Sequence, residues 1–136
     1  MVIKNKILSA RPQAGPEMQR VVEGWVVFKH TRDWQPPTDV YETADGGLVI
    51  QVEIAGMRED AFSLALGERK LVIRGVRQDP VSKRAYHQME IRYGEFRTEV
   101  YLPWAVDSEK VEAVYEDGFL CISLPRMPAH RVPVAE

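Results

Sequence analysis

The fold of this chain is decided by residues 113–124, which run Ala113-Val-Tyr-Glu-Asp-Gly-Phe-Leu-Cys-Ile-Ser-Leu124. The central pair, Asp117-Gly118, can take the positive φ values that a tight hairpin turn requires. Apolar residues alternate with other residues on both sides of that pair, as they do along a half-buried strand. Pro125 has no N–H to donate and therefore ends the second strand. We predict two antiparallel strands joined by a tight turn.

The same period of two residues recurs before this hairpin. It is cleanest at residues 48–54, returns at 62–66 and 71–75, and extends from 86 to 102 with a break at 93–94. No stretch inside this part of the chain shows a sustained helical period. The pattern gives about eight short strands, with turns at the spacing that is typical of a sandwich. We therefore predict an all-β fold, an antiparallel immunoglobulin-like β-sandwich.

Composition and charge argue against several classes of partner. The chain has 136 residues, 45% of them hydrophobic, and a formal net charge of −2. This charge provides no attraction for nucleic acid, and no apolar run is long enough to span a membrane, so we expect neither partner. Cys121 is the single cysteine, which rules out an internal disulfide. Together with the lack of a secretory signal pattern, this favours the cytoplasm.

No residue pattern predicts catalysis, a cofactor or a metal site. His30, His87 and His130 are far apart, and their spacing to Cys121 and to carboxylates is not that of a metal site. The chain lacks the Gly-x-Ser-x-Gly turn of hydrolases and any glycine loop that would hold phosphate. Cys121 lies in mid-strand, which is more typical of packing than of a nucleophile. We expect a protein that is not an enzyme and needs no cofactor.

Residues 1–33 form an N-terminal arm whose structure the sequence leaves open. Pro12, Gly15 and Pro16 interrupt any regular element. Between residues 17 and 30, apolar spacings of three and four indicate a short amphipathic helix. Gly24 and the β-branched residues weaken that interpretation, and residues 25–28 fit a strand instead. The arm either packs on its own domain or offers apolar contacts to partners.

Five motifs resemble, in chain order, those of the small heat-shock protein family, the α-crystallin domain. They are an entry motif from Trp34 to Glu42, Ala55-Gly56 followed by Glu59-Asp60, Leu71-x-Ile-x-Gly-x-Arg77, Tyr93-Gly94-x-Phe96 ending at Leu102-Pro103, and Ala113-x-x-x-Asp-Gly-x-Leu120. Each motif is common alone, but five in the right order are hard to obtain by accident. The resemblance covers residues 34–125.

One position departs from the family pattern. The family usually carries an arginine two residues after the phenylalanine of the fourth motif, where this chain has Thr98. The arginine here is Arg97, and a shift of one residue places a side chain on the opposite face of a strand. The interface role of the family's arginine is therefore not transferred to Arg97.

The resemblance implies an ATP-independent holdase that binds partly unfolded client proteins. It divides the chain into the arm (1–33), a sandwich domain (34–125) and a C-terminal tail (126–136), and it implies homodimers that assemble into a larger homo-oligomer. The candidates for client binding are the apolar residues of the arm, Val21, Val22, Trp25, Val26, Val27 and Phe28.

Two further segments gain an expected role from the resemblance. In the tail, Val132-Pro133-Val134 resembles the family's Ile-x-Ile anchor. Proline keeps this segment extended, which suits a groove at a sheet edge, although a disordered terminus is the alternative. The candidate walls of that groove are Phe62, Leu64, Leu66, Val111 and Ala113. The excursion from Gln78 through Gln88, whose polar part is residues 78–85, is expected to build the dimer, with Arg84, Ala85, Tyr86 and His87 as the pairing segment.

Two other classes of function remain open. One is a monomeric co-chaperone of the related CS-type sandwich, which binds a specific partner. The other is an enzyme on a β scaffold, because a fold does not fix a function. The tail motif and the excursion argue against the first, and the missing catalytic pattern argues against the second.

Overall fold

The computed structural model describes residues 33–81 and 85–128, with the side chain of Glu59 left out. It also describes the backbone of three short segments, Ile7–Ser9, Val21–Val22 and Trp25–Val26. The described strands, in chain order, are β1 (Ile7–Ser9), β2 (Val21–Val22), β3 (Trp25–Val26), β4 (Thr38–Glu42), β5 (Leu48–Glu53), β6 (Phe62–Leu66), β7 (Lys70–Arg77), β8 (Gly94–Tyr101), β9 (Glu112–Glu116) and β10 (Phe119–Leu124). Single 3₁₀ turns lie at Glu59–Ala61 and Ser108–Lys110.

Two four-stranded sheets form the sandwich. One has the order β4-β5-β10-β9 and is antiparallel throughout. The other has the order β1-β6-β7-β8, in which β6, β7 and β8 are antiparallel and β1 joins β6 in parallel. β2 and β3 pair with each other outside these sheets. The all-β sandwich predicted from the alternating pattern is thus confirmed.

The hairpin at residues 113–124 forms as predicted. Phe119 pairs with Glu116 across the turn, and the register continues from there along β9 and β10. Asp117 and Gly118 have φ values of 51° and 82°. Both central residues therefore lie in the left-handed region, as a primed hairpin turn requires.

The core lies between the two sheets and follows the period of two. In β6, Phe62, Leu64 and Leu66 are buried while the residues between them are more exposed. The same alternation holds in β8 and β10. The largest fully buried side chains are Phe96, Ile50, Ile54, Leu64, Leu71, Ile73, Leu120, Ile122, Leu124 and Val52. Burial of this apolar surface is the main stabilising term of the fold.

The structure contradicts one strand prediction and decides between two alternatives for the arm. The strand predicted from residue 86 to 102 is wrong in its first half, because only Gly94–Tyr101 is a strand and residues 85–93 have no regular structure. Alternating residues form a strand only where a neighbouring edge supplies hydrogen bonds, and β7 pairs no further than Arg77 with Gly94. In the arm, Trp25–Val26 takes the strand alternative rather than the helical one.

Gly75 allows β7 to approach its neighbours closely. It pairs with Phe96, and a Cβ added to it would lie 2.5 Å from Phe96 Cζ and 2.6 Å from the carbonyl oxygen of Ala61. Phe96 belongs to the buried core, and the second obstacle is a backbone carbonyl. Glycine is therefore required at this motif position because any side chain there would clash with its neighbours.

We expect Gly75→Ala to lower the free energy of unfolding by about 1–3 kcal/mol, the usual cost of overpacking. Gly67→Ala is the matched control, because its added Cβ would meet nothing closer than the Lys70 carbonyl oxygen at 3.7 Å. Urea denaturation of both variants measures the difference. Equal stability of the two variants would contradict the close approach at Gly75.

Candidate functional site

An open cleft runs between the edge strands β4 and β8. Its volume is about 380 Å³, and its walls include Thr38 and Val40 on one side and Thr98 and Val100 on the other. Gln35 also lines the cleft, and the preceding residue, Trp34, pairs with β8: its backbone N–H donates to the Glu95 carbonyl, and its carbonyl accepts from the Arg97 N–H. β4 has no neighbour on its outer side among the described strands. This margin of the sandwich can accept another extended chain.

Thr98 faces the interior of this margin. Only 8% of its surface is exposed, and its hydroxyl has no hydrogen-bond partner among the described residues. Arg97 lies on the other face of β8, where its guanidinium bonds the carboxylate of Glu99. The expected change of face between positions 97 and 98 is therefore present. The Arg97 side chain is only 11% exposed, and one of its guanidinium nitrogens is buried without a hydrogen-bond partner among the described residues. The cleft contains Thr98 instead of this arginine.

Glu99 is held between two cations on that outer surface. Lys70 Nζ lies 3.0 Å from its second carboxylate oxygen, and Arg97 bonds the first. Partial burial raises the pKa of Glu99, but hydrogen bonds and charge from Arg97 and Lys70 outweigh it, so the pKa lies below the usual value. The carboxylate is consequently ionised at neutral pH. This triad joins β7 to β8.

Arg77 fixes the base of the loop at residues 78–93. Its Nε donates to the Arg92 carbonyl at 2.8 Å, and its guanidinium lies 4.4 Å from the ring centre of Trp34. The same group lies 5.6 Å from the ring of Tyr93. Cation–π contact and the hydrogen bonds together hold both ends of the loop against the sandwich. The sequence identified Arg77 only as a motif position and gave no sign of this contact.

Beyond that base the described residues of the loop are exposed to solvent. Tyr86 is 45% exposed, and Met89 and Ile91 are each 61% exposed. Of the predicted pairing segment, Ala85, Tyr86 and His87 are all exposed, and Arg84 lies outside the described residues. Met89 and Ile91 are two residues apart, so an extended conformation would turn them to one side. Exposed apolar side chains of this kind are suited to contact with another chain.

The predicted walls of the tail groove lie at the opposite margin of the sandwich. Leu64 and Leu66 in β6, and Val111 and Ala113 near and in β9, are all at most 5% exposed, and Phe62 is buried beside them. They face the space between the sheets. A docked segment would therefore reach them only from the margin between β6 and β9.

β1 already covers the outer edge of β6. Ile7, Leu8 and Ser9 pair in parallel with Leu64, Ala65 and Leu66. Nothing in the sequence predicted this pairing, because a segment of three residues has too little pattern to identify a partner strand. The arm thus contributes a strand to the sandwich margin where the tail is expected.

The remaining predicted residues are described in part or not at all. For Val21, Val22, Trp25 and Val26 the backbone is described, and it forms the β2–β3 pair. Two positions of the arm and the whole tail anchor lie outside the described residues: Val27, Phe28, Val132, Pro133 and Val134. Their expected roles stay predictions.

Within the described part of the chain, no group of three or more His, Cys, Asp or Glu side chains could hold a metal ion. Among the same residues, no helix is long and apolar enough to cross a membrane.

Comparison with known proteins agrees with this fold. The model of the Hsp20/alpha crystallin family matches residues 40–134. Small heat shock protein C4 of Rickettsia felis is 33% identical over 93 residues, which are 67% of this chain and 56% of that protein. Small heat shock protein C2 of the same organism is 29% identical over 67% of this chain and 60% of its own length.

A solved structure has a similar fold. The crystal structure of hspA from Xanthomonas axonopodis matches with a TM-score of 0.65 at 27% identity, covering 72% of this chain and 99% of that chain. This chain spans less than two thirds of the length of the two Rickettsia relatives. With the family model matching most of the sandwich and the motifs in their expected order, the chain belongs to the Hsp20/alpha crystallin family, the small heat shock proteins.

Proposed function

We propose that the protein is an ATP-independent holdase of the cytoplasm that binds partly unfolded proteins and limits their aggregation. The observation that carries the proposal is family membership, shown by the match over residues 40–134. The family supports a chaperone role, and the sequence of the arm contains apolar residues. A holdase acts by mass action, because binding the unfolded state keeps it from associating with itself.

We propose that dimers form through the loop at residues 78–93. β4 offers an open edge whose Val40 and Tyr41 are 45% and 48% exposed. Pairing with residues 84–87 of a second copy would supply the missing hydrogen bonds of that edge. The exposed side chains of Met89 and Ile91 would then be buried in the dimer contact. Such an exchange is isologous, because each copy offers one loop and one edge.

We propose that Val132 and Val134 anchor the tail on a neighbouring subunit, in a groove between β6 and β9. Each buried valine contributes at most about 1.5–3 kcal/mol, less the cost of ordering the tail. One contact is weak, but repeated contacts around an assembly act at high effective concentration. Weak repeated contacts permit subunit exchange.

We expect the arm to carry much of the client binding. The variant Trp25→Ser/Val26→Ser/Phe28→Ser removes apolar surface from the arm and leaves residues 7–9 intact for pairing with β6. Suppression of client aggregation, measured by light scattering, should fall several-fold because client contact is mainly apolar.

The matched control is Val76→Ser/Phe119→Ser, which removes exposed apolar side chains from the sandwich instead. This control should suppress aggregation as well as the parent does. Full suppression by the arm variant, with an unchanged circular dichroism spectrum, would show that clients bind elsewhere.

A further inference from the structure

The outer edge of β6 has one place for an additional strand. On its inner side β6 pairs with β7 through all five of its residues, from Phe62 opposite Gly75 to Leu66 opposite Leu71. On its outer side Leu64, Ala65 and Leu66 pair with β1. Both edges of β6 are therefore in use within a single chain.

The proposed tail site uses the same margin. An extended segment that enters between β6 and β9 gains backbone hydrogen bonds only from an unpaired strand edge. β1 occupies the β6 edge at Leu64–Leu66, directly beside two of the predicted groove walls. Since β1 lies along that edge and a strand edge has room for one neighbouring strand, β1 and a tail cannot both pair there.

We propose that β1 and the tail of a second copy compete for the outer edge of β6, so that tail docking displaces β1. This inference rests on the proposed tail anchor and adds its regulation. In an isolated chain, β1 protects the edge from nonspecific strand pairing, which is a known hazard of open edges. On assembly the incoming tail releases residues 7–9 and loosens the arm that leads to the proposed client-binding residues.

The chemistry of the two segments is compatible with one site. Ile7-Leu8 and Val132-Pro133-Val134 are both short and aliphatic. β1 has the advantage of being attached to the same chain, which raises its effective concentration. Its disadvantage is length, because three paired residues give few hydrogen bonds. The tail can bind only those chains in which β1 is undocked. The apparent dissociation constant for the tail is therefore the intrinsic constant divided by the fraction of chains with β1 undocked.

The test measures binding of a fluorescent peptide with the sequence of residues 129–136 by anisotropy. The binding protein is the full chain carrying Val132→Gly/Val134→Gly, so that its own tail does not interfere. Ile7→Pro/Leu8→Pro is then added. Successive N–H groups of a strand point to opposite sides, so one of these two faces β6. Proline has no N–H, so the double substitution removes that hydrogen bond, and we expect β1 to detach. The control is Gln13→Pro/Ala14→Pro, which adds the same residues to the arm outside β1.

We expect the β1 variant to bind the peptide about tenfold more tightly than the parent, and the control to bind as the parent does. Hydrogen exchange at residues 7–9 of the parent should also accelerate when the peptide saturates it. Equal peptide affinity in all three proteins, or unchanged exchange at residues 7–9, overturns the competition while the tail anchor stands. Failure of the peptide to bind any of the three overturns the anchor itself, and the competition with it.

Discussion

Replacing Val132 and Val134 together with glycine should convert the assembled protein into dimers with an intact sandwich. Two effects act in the same direction. The substitution removes both aliphatic side chains, and glycine adds backbone freedom that docking must restrain. Because the same loss is repeated at every subunit, a modest change per tail is multiplied across the assembly. Native mass spectrometry and circular dichroism measure the two parts of this expectation.

Ala129→Gly/Ala135→Gly is the matched control for the tail. It adds similar backbone freedom at two nearby positions and leaves both valines in place. The control should keep the mass of the parent assembly. If the valine variant also keeps that mass, the tail does not anchor the oligomer.

Replacing residues 78–93 with Asn-Gly should give folded monomers. The last register pair before the loop joins Arg77 to Gly94, so a primed turn of two residues fits directly between them. The shortened chain keeps β7 and β8 but loses the segment that would pair with a second copy. Analytical ultracentrifugation should show the monomer at concentrations where the parent is a dimer or larger.

A milder variant separates the loop's surface from its length. Met89→Ser/Ile91→Ser keeps every backbone atom and removes the two most exposed apolar side chains of the loop, each 61% exposed. It should raise the dimer dissociation constant by at least about tenfold, since each change removes apolar burial worth roughly 1–2 kcal/mol or more. Persistence of dimers in both loop variants would assign the dimer contact to another surface.

Local chemistry made the sandwich predictable. Asp117-Gly118 required a specific backbone geometry, and the alternation in β5, β6 and β10 indicated both the strands and their buried faces. These features depend on residues close together in sequence. The alternating pattern at residues 86–92 failed because it contains no information about whether a neighbouring edge exists.

Long-range contacts made the rest unpredictable. The pairing of β1 with β6 joins residues 7–9 to residues 64–66, and three residues cannot specify such a partner. The stacking of Arg77 on Trp34 depends on where the entry segment crosses the sheet, which follows only from the assembled fold. Spacings of three and four in the arm suggested a helix, but the short β2–β3 pair uses the same residues as strands.

Aggregation of a chemically unfolded client, followed by light scattering without nucleotide, tests the central claim most directly. The purified full chain should suppress scattering in proportion to its molar ratio to the client, and added ATP should change nothing. The expected mechanism requires only contact between apolar surfaces, which needs no energy source. Unchanged client aggregation at a molar excess of the chain, or suppression that appears only with ATP, would contradict the assignment as an ATP-independent holdase.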